Sequence, residues 1–196
     1  MAEKNNNLDL YYKFLNQEIT KIQLLSYVPQ EVLHRSINAE INDETIQTIL
    51  NKFDVLLGKE QVRGVIGGPP CQAFSTIGRA QNAHKKATDG RIYLYRYYID
   101  FLERYSPDFF VFENVKGLLS FKDADGEPLL AKIIKEFNEA GYSLGYRIEN
   151  TKNYGVPQSR ERIIIFGVPL GHESLIESFF QLWNHFKNPK LVLKKH

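Results

Sequence analysis

Apolar positions along the chain follow two periodicities, and together they predict a layered α/β protein. Four segments have the apolar pattern of strands: Val65–Ile66, Phe109–Phe112, Tyr142–Asn150 and Arg162–Val168. The apolar run at Phe109–Phe112 is continuous, as in a strand buried on both faces. Between these segments, apolar residues recur every three or four positions, as they do on one face of a helix. One such segment contains Ile92, Tyr95, Ile99 and Leu102, and the other begins near Pro128 and ends at Gly141. The alternation of strands and helices predicts an open, mostly parallel sheet with right-handed crossovers.

The amino-terminal third has a less regular pattern. It carries no glycine before Gly58 and therefore no Gly-rich phosphate loop in that stretch. From Asn42 to Leu57, apolar residues at helical spacing follow a polar cap, which predicts an amphipathic helix. The segment from Leu8 to Leu25 fits a strand and a helix equally well.

Composition narrows the class of protein. The chain has 196 residues, of which 43% are hydrophobic, so it can bury a core of one domain with a small appendage. Lys and Arg total 25 against 23 Asp and Glu, so affinity for a polyanion must come from the distribution of charge. A single cysteine excludes an internal disulfide and a thiolate metal cluster, and no stretch approaches a membrane span. We expect a soluble cytoplasmic protein without a metal.

Two reactive side chains follow the predicted strands. Cys71 comes directly after Gly67-Gly68-Pro69-Pro70, and Glu113 ends the apolar run at Phe112. Ligands of open α/β sheets bind at the carboxyl ends of the strands, so both residues are expected on one rim. A lone cysteine is more often a small buried hydrophobe, and Glu113 has the alternative of a surface carboxylate. The rigid prolines and the polar loop from Gln72 to Gly90 favour a nucleophile at Cys71.

A third group, Gln158-Ser159-Arg160-Glu161-Arg162, precedes the last predicted strand. In an extended segment its two arginines project to the same side. They fit either a solvated strand edge paired with Glu161 or a pair of fixed donors to a carbonyl or phosphate oxygen.

These residues lie in three motifs that resemble those of the cytosine-C5 DNA methyltransferases. The motifs are GGPPCQAFS at 67–75, FENVKGLL at 112–119 and YGVPQSRER at 154–162, in the family's order. Asp89-Gly90-Arg91 with Leu94 also resembles a family segment. The resemblance covers roughly Val65 to Val168, and it implies a Rossmann-like fold that uses S-adenosylmethionine.

The resemblance implies a mechanism for the candidate catalytic residues. Cys71 matches the thiolate that adds to carbon 6 of cytosine, which makes carbon 5 nucleophilic. Glu113 matches the acid at ring nitrogen 3, and Asn114 would help to hold the site together. Arg162 is expected to polarise the cytosine carbonyl oxygen, and Arg160 to organise Glu113 or a phosphate.

The resemblance also implies a cofactor and a macromolecular substrate. Pro69, Pro70 and Leu94 map to the S-adenosylmethionine side, and Glu18 is a candidate for the acid that faces the adenine. The target base must be flipped out of double-stranded DNA, and the loop from Gln72 to Gly90 would close over it. The DNA-contacting candidates are Gln72, Ser75, Arg79 and Gln158. The loop lysines also fit a merely solvated segment.

Two parts of the family pattern are missing. There is no Gly-rich cofactor turn before Gly58, and only Pro169 to His196 follow the last strand, where the family has a target-recognition domain. We therefore expect three parts: 1–63, a partial cofactor-side region with a helical insertion; 64–168, the catalytic core; and 169–196, a helix and basic tail. The chain would be a fragment, or a subunit completed by a complementary partner, and its uncovered sheet would favour self-association.

Two other functions remain open at this point. One is an inactive remnant that binds DNA or a partner without chemistry. The other is methylation of a free pyrimidine nucleotide, although enzymes of that kind lack the Glu-Asn-Val and Gln-x-Arg-x-Arg motifs in this order.

Overall fold

The chain divides into two units, Met1–Gly58 and Lys59–His196. The computed structural model describes residues 2–70, 90–123 and 125–187. The carboxyl-terminal helix belongs to the same unit as the sheet.

The described part of the first unit is helical. Its helices are α1 (Ala2–Leu15), α2 (Lys21–Ser26), α3 (Gln30–Leu33) and α4 (Ile46–Leu57). The ambiguous segment from Leu8 to Leu25 is therefore two helices, and the second begins with a capping box between Thr20 and Gln23. The predicted helix is present, but it begins at Ile46 with Thr45 at its N-cap, so the predicted cap by Asn42 is wrong. Asn42 Oδ1 instead accepts hydrogen bonds from the backbone N–H groups of Glu44 and Thr45 in the turn that precedes α4.

The second unit is built on a four-stranded open sheet in the order β1-β2-β4-β3. The strands are β1 (Gly64–Gly67), β2 (Phe109–Val115), β3 (Tyr142–Asn150) and β4 (Glu161–Pro169). The prediction of an open α/β sheet is confirmed, with one correction. β1 and β2 are parallel, but β4 lies between β2 and β3 and is antiparallel to both, so the sheet is mixed. The segment between β3 and β4 is shorter than the dozen or more residues that a parallel crossover requires, so β4 returns antiparallel.

Strand β2 has apolar packing on both faces, as its continuous apolar run predicts. Phe110 and Phe112 belong to the larger core, which also contains residues of α5 (Tyr95–Tyr105) and α6 (Leu129–Glu139). Phe109 and Val111 pack on the opposite face, in the cluster that includes residues of α7 (Ser174–His185). Alternate residues of β2 therefore belong to different faces of the sheet.

One helix on each face is held to the sheet by an aromatic side chain. The Tyr98 hydroxyl of α5 lies 2.8 Å from the carbonyl oxygen of Val65 and 3.0 Å from that of Val111, so it ties the helix to β1 and β2. On the other face, the rings of Phe166 and Phe179 are stacked with centroids 3.9 Å apart, which holds α7 on β4.

Candidate active site

The ends of β1 and β2 meet where the candidate residues are expected. Gly68 follows β1 directly, and a Cβ built on it would lie 2.8 Å from Glu113 Oε2 and 3.0 Å from the Glu113 carbonyl oxygen. Only a glycine lets the chain pass this close to the carboxylate. The backbone that leads through Pro69 and Pro70 is thus held against Glu113. Cys71 itself lies outside the described residues, and its place in the site stays a prediction.

Glu113 is paired with Arg162. Arg162 Nε lies 2.7 Å from Glu113 Oε1, and the two side chains are 17% and 43% exposed, respectively. A second nitrogen of the same guanidinium, Nη1, donates to the carbonyl oxygen of Glu161 at 2.7 Å. Because a guanidinium is planar, bonds from two of its nitrogens fix its orientation.

The other arginine of the motif occupies a different position. β4 begins at Glu161, so Arg160 lies just before the strand. Its side chain is exposed, and its carbonyl oxygen accepts from the N–H of Thr151 at 3.1 Å. Of the two roles predicted for Arg160, contact with Glu113 is made by Arg162 instead. The Glu161 carboxylate binds Lys116 at 3.0 Å, which disfavours the alternative in which the two arginines pair with Glu161.

Gln158 is exposed in the loop before β4. Its carbonyl oxygen accepts a 2.5 Å hydrogen bond from the Thr151 hydroxyl, which fixes the backbone and leaves the amide side chain at the surface. Its contact with DNA stays a prediction. Three other DNA-contacting candidates, Gln72, Ser75 and Arg79, lie outside the described residues.

Asn114 faces the opposite side of the sheet from Glu113. It is 1% exposed, and its Oδ1 accepts from the backbone N–H of Val115 at 2.8 Å. Its buried Nδ2 has no acceptor among the described residues. Buried amide donors without an acceptor are rare in folded proteins. Successive side chains of β2 point to opposite faces of the sheet, and this alternation places Glu113 and Asn114 on different faces. The motif by itself does not show that difference.

The cofactor candidates fall into two groups. Pro69 and Pro70 lie with Asn114 in the lining of a narrow cleft completed by Ile92, Tyr95, Phe112 and Ile133. Leu94 is half-buried and immediately precedes α5. Glu18 belongs to the amino-terminal unit, is exposed, and accepts a 3.2 Å hydrogen bond from Asn16 Nδ2. The cofactor roles of these four residues stay predictions.

The described ranges contain no group of three or more His, Cys, Asp or Glu side chains suited to a metal ion. Within the same ranges, no helix combines the length and apolar character needed to cross a bilayer.

The α/β sheet and its rim agree with a Rossmann-like methyltransferase fold. A family model described as C-5 cytosine-specific DNA methylase matches residues 29–194. The chain therefore belongs to the C-5 cytosine-specific DNA methylase family, and the resemblance seen in its motifs is confirmed.

Two of the curated relatives agree with this assignment. The chain is 32% identical over 190 residues to the type II methyltransferase M.Bpa9945I of Bacillus paralicheniformis, covering 83% of this chain and 42% of the relative. It is 42% identical over 160 residues to M.FnuDI of Fusobacterium nucleatum, covering 82% of this chain and 43% of that relative. A crystal structure of a Spodoptera frugiperda DNMT2 mutant is similar over 69% of this chain and 36% of its own, with 23% identity and a TM-score of 0.44. The chain thus spans about two fifths of the length of these two curated relatives.

Proposed function

We propose that this chain is the catalytic part of a DNA (cytosine-5)-methyltransferase, which transfers a methyl group from S-adenosylmethionine to carbon 5 of a flipped cytosine in double-stranded DNA. A complementary polypeptide segment supplies the cofactor turn and the target-recognition part. The observation that carries the proposal is the Glu113–Arg162 pair, held against the backbone at Gly68 on the rim that leads to Cys71.

Cys71 and Glu113 divide the activation of the base between them. The Cys71 thiolate forms a bond to carbon 6 while Glu113 delivers a proton or a strong hydrogen bond to ring nitrogen 3, which yields an enamine with a nucleophilic carbon 5. Carbon 5 takes the methyl group as the bond from that group to the sulfonium sulfur breaks, and the remainder of S-adenosylmethionine leaves as the neutral thioether. A base then removes the proton of carbon 5, the bond between carbon 6 and the Cys71 sulfur breaks, and the thiolate leaves. Any proton taken by ring nitrogen 3 returns to Glu113. Cys71 follows Gly68 by three residues, a separation of at most about 11 Å in an extended chain, so both groups can reach one ring.

Arg162 prepares Glu113 and the pocket for this step. Its guanidinium holds the carboxyl group in one orientation through the 2.7 Å contact. A guanidinium has five N–H donors, so the nitrogens not used by Glu113 and Glu161 can polarise the carbonyl oxygen of the bound cytosine. One arginine thus orients the acid and binds the base.

The described residues fit one wall of a site for S-adenosylmethionine, which supplies an electrophilic methyl group. Pro69 and Pro70 offer an apolar surface, and the unpaired Nδ2 of Asn114 offers a buried hydrogen-bond donor beside it. Leu94 and Glu18 are proposed for the same cofactor. An orphaned donor of this kind is explained if a ligand or a neighbouring backbone group provides the missing acceptor.

Substrate recognition requires the cytosine to leave the helix, because carbons 5 and 6 are inaccessible to a thiolate inside stacked base pairs. Gln158 and Arg160 are exposed beside Arg162 in sequence and are proposed to contact the DNA backbone. Gln72, Ser75 and Arg79 are proposed for the same role.

The test is covalent trapping on a duplex that contains 5-fluorocytosine, since fluorine at carbon 5 blocks the release of the thiolate. The purified chain is incubated with S-adenosylmethionine and this duplex, with and without a complementary segment of a relative. We expect a denaturation-resistant adduct that is absent in Cys71→Ser and strongly reduced in Glu113→Gln. Glu139→Gln, on an exposed carboxylate of α6, is the matched control.

The second candidate is an inactive family member that binds DNA or a partner. The observation in its favour is the exposure of Gln158 and Arg160 before β4, where both side chains can contact a DNA backbone without any chemistry at the base. DNA binding without any adduct, even with the complementary segment present, would support this candidate and overturn the first.

A further inference from the structure

A second carboxylate faces Arg162 from the other side. In the β3–β4 register Glu149 lies directly opposite Arg162, and in the β2–β4 register Arg162 lies opposite Val115, two residues from Glu113. Directly opposed residues of antiparallel strands project to the same face, with Cβ atoms about 4.5–5.5 Å apart. Arg162 therefore stands between two acids on the α7 face of the sheet.

Glu149 is already satisfied by other donors. It is 6% exposed, and its Oε2 accepts from the Tyr154 hydroxyl at 2.6 Å while its Oε1 binds Lys187 Nζ at 3.0 Å. The Trp183 indole N–H donates in turn to the Tyr154 oxygen at 2.6 Å, so the Tyr154 proton is directed to Glu149. We call these four residues the Glu149 cluster.

The partners of the two acids are thus cleanly separated. Glu149 accepts a hydrogen bond from Tyr154 and forms an ion pair with Lys187, whereas Arg162 Nε forms an ion pair with Glu113 at 2.7 Å. Burial and the hydrogen bond to Glu149 raise the pKa of Tyr154, which keeps its hydroxyl a donor at neutral pH.

We infer that the Glu149 cluster is a positioning device for Arg162: by occupying Glu149, Tyr154 and Lys187 leave the guanidinium for Glu113. The inference rests on the proposed function for its consequence in catalysis. Tyr154 and Lys187 are positioning residues, and Glu149 is the competing acid that they hold.

The physical reason is the cost of a buried charge. A carboxylate that is removed from water without partners is strongly destabilised, so Glu149 would seek the nearest cation if its donors were lost. Arg162 is opposite in register, and its planar fork suits a carboxylate better than any point charge does. The same movement would take the guanidinium from Glu113.

The arrangement also links α7 to the catalytic rim. Trp183 lies in the last part of α7 and Lys187 follows the helix, while Tyr154 opens the loop that leads to β4. A segment near the carboxyl end of the described chain thereby controls the orientation of a side chain in the active site.

The test follows the Arg162 guanidinium by NMR in the full chain, without DNA or cofactor. The Nε–Hε resonance is assigned by its loss in Arg162→Lys. In the double variant Y154F/K187M we expect this resonance to shift, because its acceptor changes from Glu113 to Glu149. Adding Glu149→Gln should return it to the wild-type position, since the competing charge is gone. Y146F/K135M, which removes another tyrosine hydroxyl and another lysine of the same unit, should leave it unmoved.

Two results would overturn the inference. One is an unchanged resonance in Y154F/K187M, which would show that the cluster does not determine the partner of Arg162. The other is a shift that Glu149→Gln does not reverse, which is what general loosening of the loop would produce. If far-UV circular dichroism shows the double variant to be unfolded, K187M alone replaces it, with the same reversal required, because its side chain is 31% exposed.

Methyl transfer forms a separate arm of the experiment. In a preparation that traps fluorocytosine, Y154F/K187M should lower the rate by roughly 10- to 100-fold, as expected for a displaced catalytic group, and Glu149→Gln should recover most of it. Wild-type protein that transfers no methyl group even with the complementary segment present contradicts the proposed function and leaves the positioning role of the cluster intact, because the NMR result is obtained independently.

Discussion

At the scale of single residues, the site shows why two arginines of one motif are not equivalent. Arg160 and Arg162 have the same spacing pattern in the sequence, and both were assigned contacts with the substrate or the acid. The structure begins β4 at Glu161, so only Arg162 has a fixed place opposite β2. A spacing rule for extended chain could not separate them, since it assumes that the strand already includes both.

The first prediction concerns this difference. Arg162→Gln should lower fluorocytosine trapping by roughly 10²- to 10³-fold, because it removes both the orientation of Glu113 and a donor to the substrate oxygen. Arg160→Gln should weaken DNA binding and leave trapping at saturating DNA within about tenfold of wild type. Trapping rates at saturating duplex measure the first effect, and equilibrium binding measures the second. Equal losses of trapping in the two variants would contradict the assignment.

The second prediction uses two glycines with different surroundings. Gly68→Ala would place a methyl group 2.8 Å from Glu113 Oε2, so it should reduce trapping while leaving most of the stability intact. Gly167→Ala would place one 2.1 Å from the Phe110 ring, in the core, and should lower the free energy of unfolding by about 1–3 kcal/mol. Urea unfolding and trapping, measured on both variants, should show opposite patterns. A Gly68→Ala variant with wild-type trapping would contradict the close approach to Glu113.

At the scale of elements, the positions of the strands and helices could be predicted from the sequence to within a few residues. The directions in which the strands pair could not all be predicted. Continuous apolar runs located β2 and β4, because fully buried strands need continuous apolar residues, and the spaced apolar residues of Tyr142–Asn150 located β3. The direction of β4 was missed, because it depends on the length of the connection from Thr151 to Arg160 and not on the strand's own residues. The hydrogen bonds of the Tyr98 hydroxyl to β1 and β2 could not be predicted either, because the spacing of apolar residues along a helix does not identify the partners of a side-chain hydroxyl.

The third prediction tests these hydrogen bonds. Tyr98→Phe removes the hydroxyl that lies between the carbonyl oxygens of Val65 and Val111 and leaves the ring contacts in place. The free energy of unfolding should fall by about 1 kcal/mol, the usual net value of a part-buried hydrogen bond. Tyr146→Phe, on a 43% exposed ring, is the control and should change it far less. Denaturant unfolding measures the change. Equal free energies of unfolding for Tyr98→Phe and wild type would contradict a stabilising role of the Tyr98 hydroxyl.

The fourth prediction concerns the contact between α5 and α6. Glu136 accepts from Arg96 Nε and Nη2 at 3.0 and 2.8 Å and from the Tyr95 hydroxyl at 2.9 Å. Burial opposes ionisation, but these hydrogen bonds together outweigh it and hold the pKa of Glu136 below its usual value of 4.5. Because the folded pKa is the lower one, the stabilisation is complete above about pH 4.5 and is lost as the pH falls below it.

Glu136→Gln should therefore lower the free energy of unfolding by about 1 kcal/mol at pH 7 and by much less near pH 3. Unfolding curves at several pH values between 3 and 7 measure the difference, and Glu139→Gln on the same helix provides the control. A difference between wild type and Glu136→Gln that does not shrink in acid would contradict the assigned ion pair.

At the scale of the whole molecule, the sheet has an incomplete edge in the part of the chain that the structure describes. β1 and β3 are the two edge strands of the order β1-β2-β4-β3, so one side of the β1 backbone has no neighbouring strand there. Val65 packs on the larger core, but Ile66, on the α7 face, is 76% exposed. This exposed side chain on the unpaired edge is the surface at which we expect association.

The last prediction is that Ile66 takes part in association. Full burial of an isoleucine side chain contributes about 1.5–3 kcal/mol, so Ile66→Lys should weaken self-association, or binding of a complementary segment, by roughly 10- to 100-fold. Unfolding should change little, because the side chain is exposed in the described chain. Leu182→Lys, 63% exposed on α7, is the matched control and should associate as wild type does. Sedimentation velocity over a range of concentrations measures the effect. A wild-type chain that remains monomeric throughout and binds no complementary segment would contradict the role of this edge, because an apolar side chain in a true interface gains its free energy only when a partner covers it.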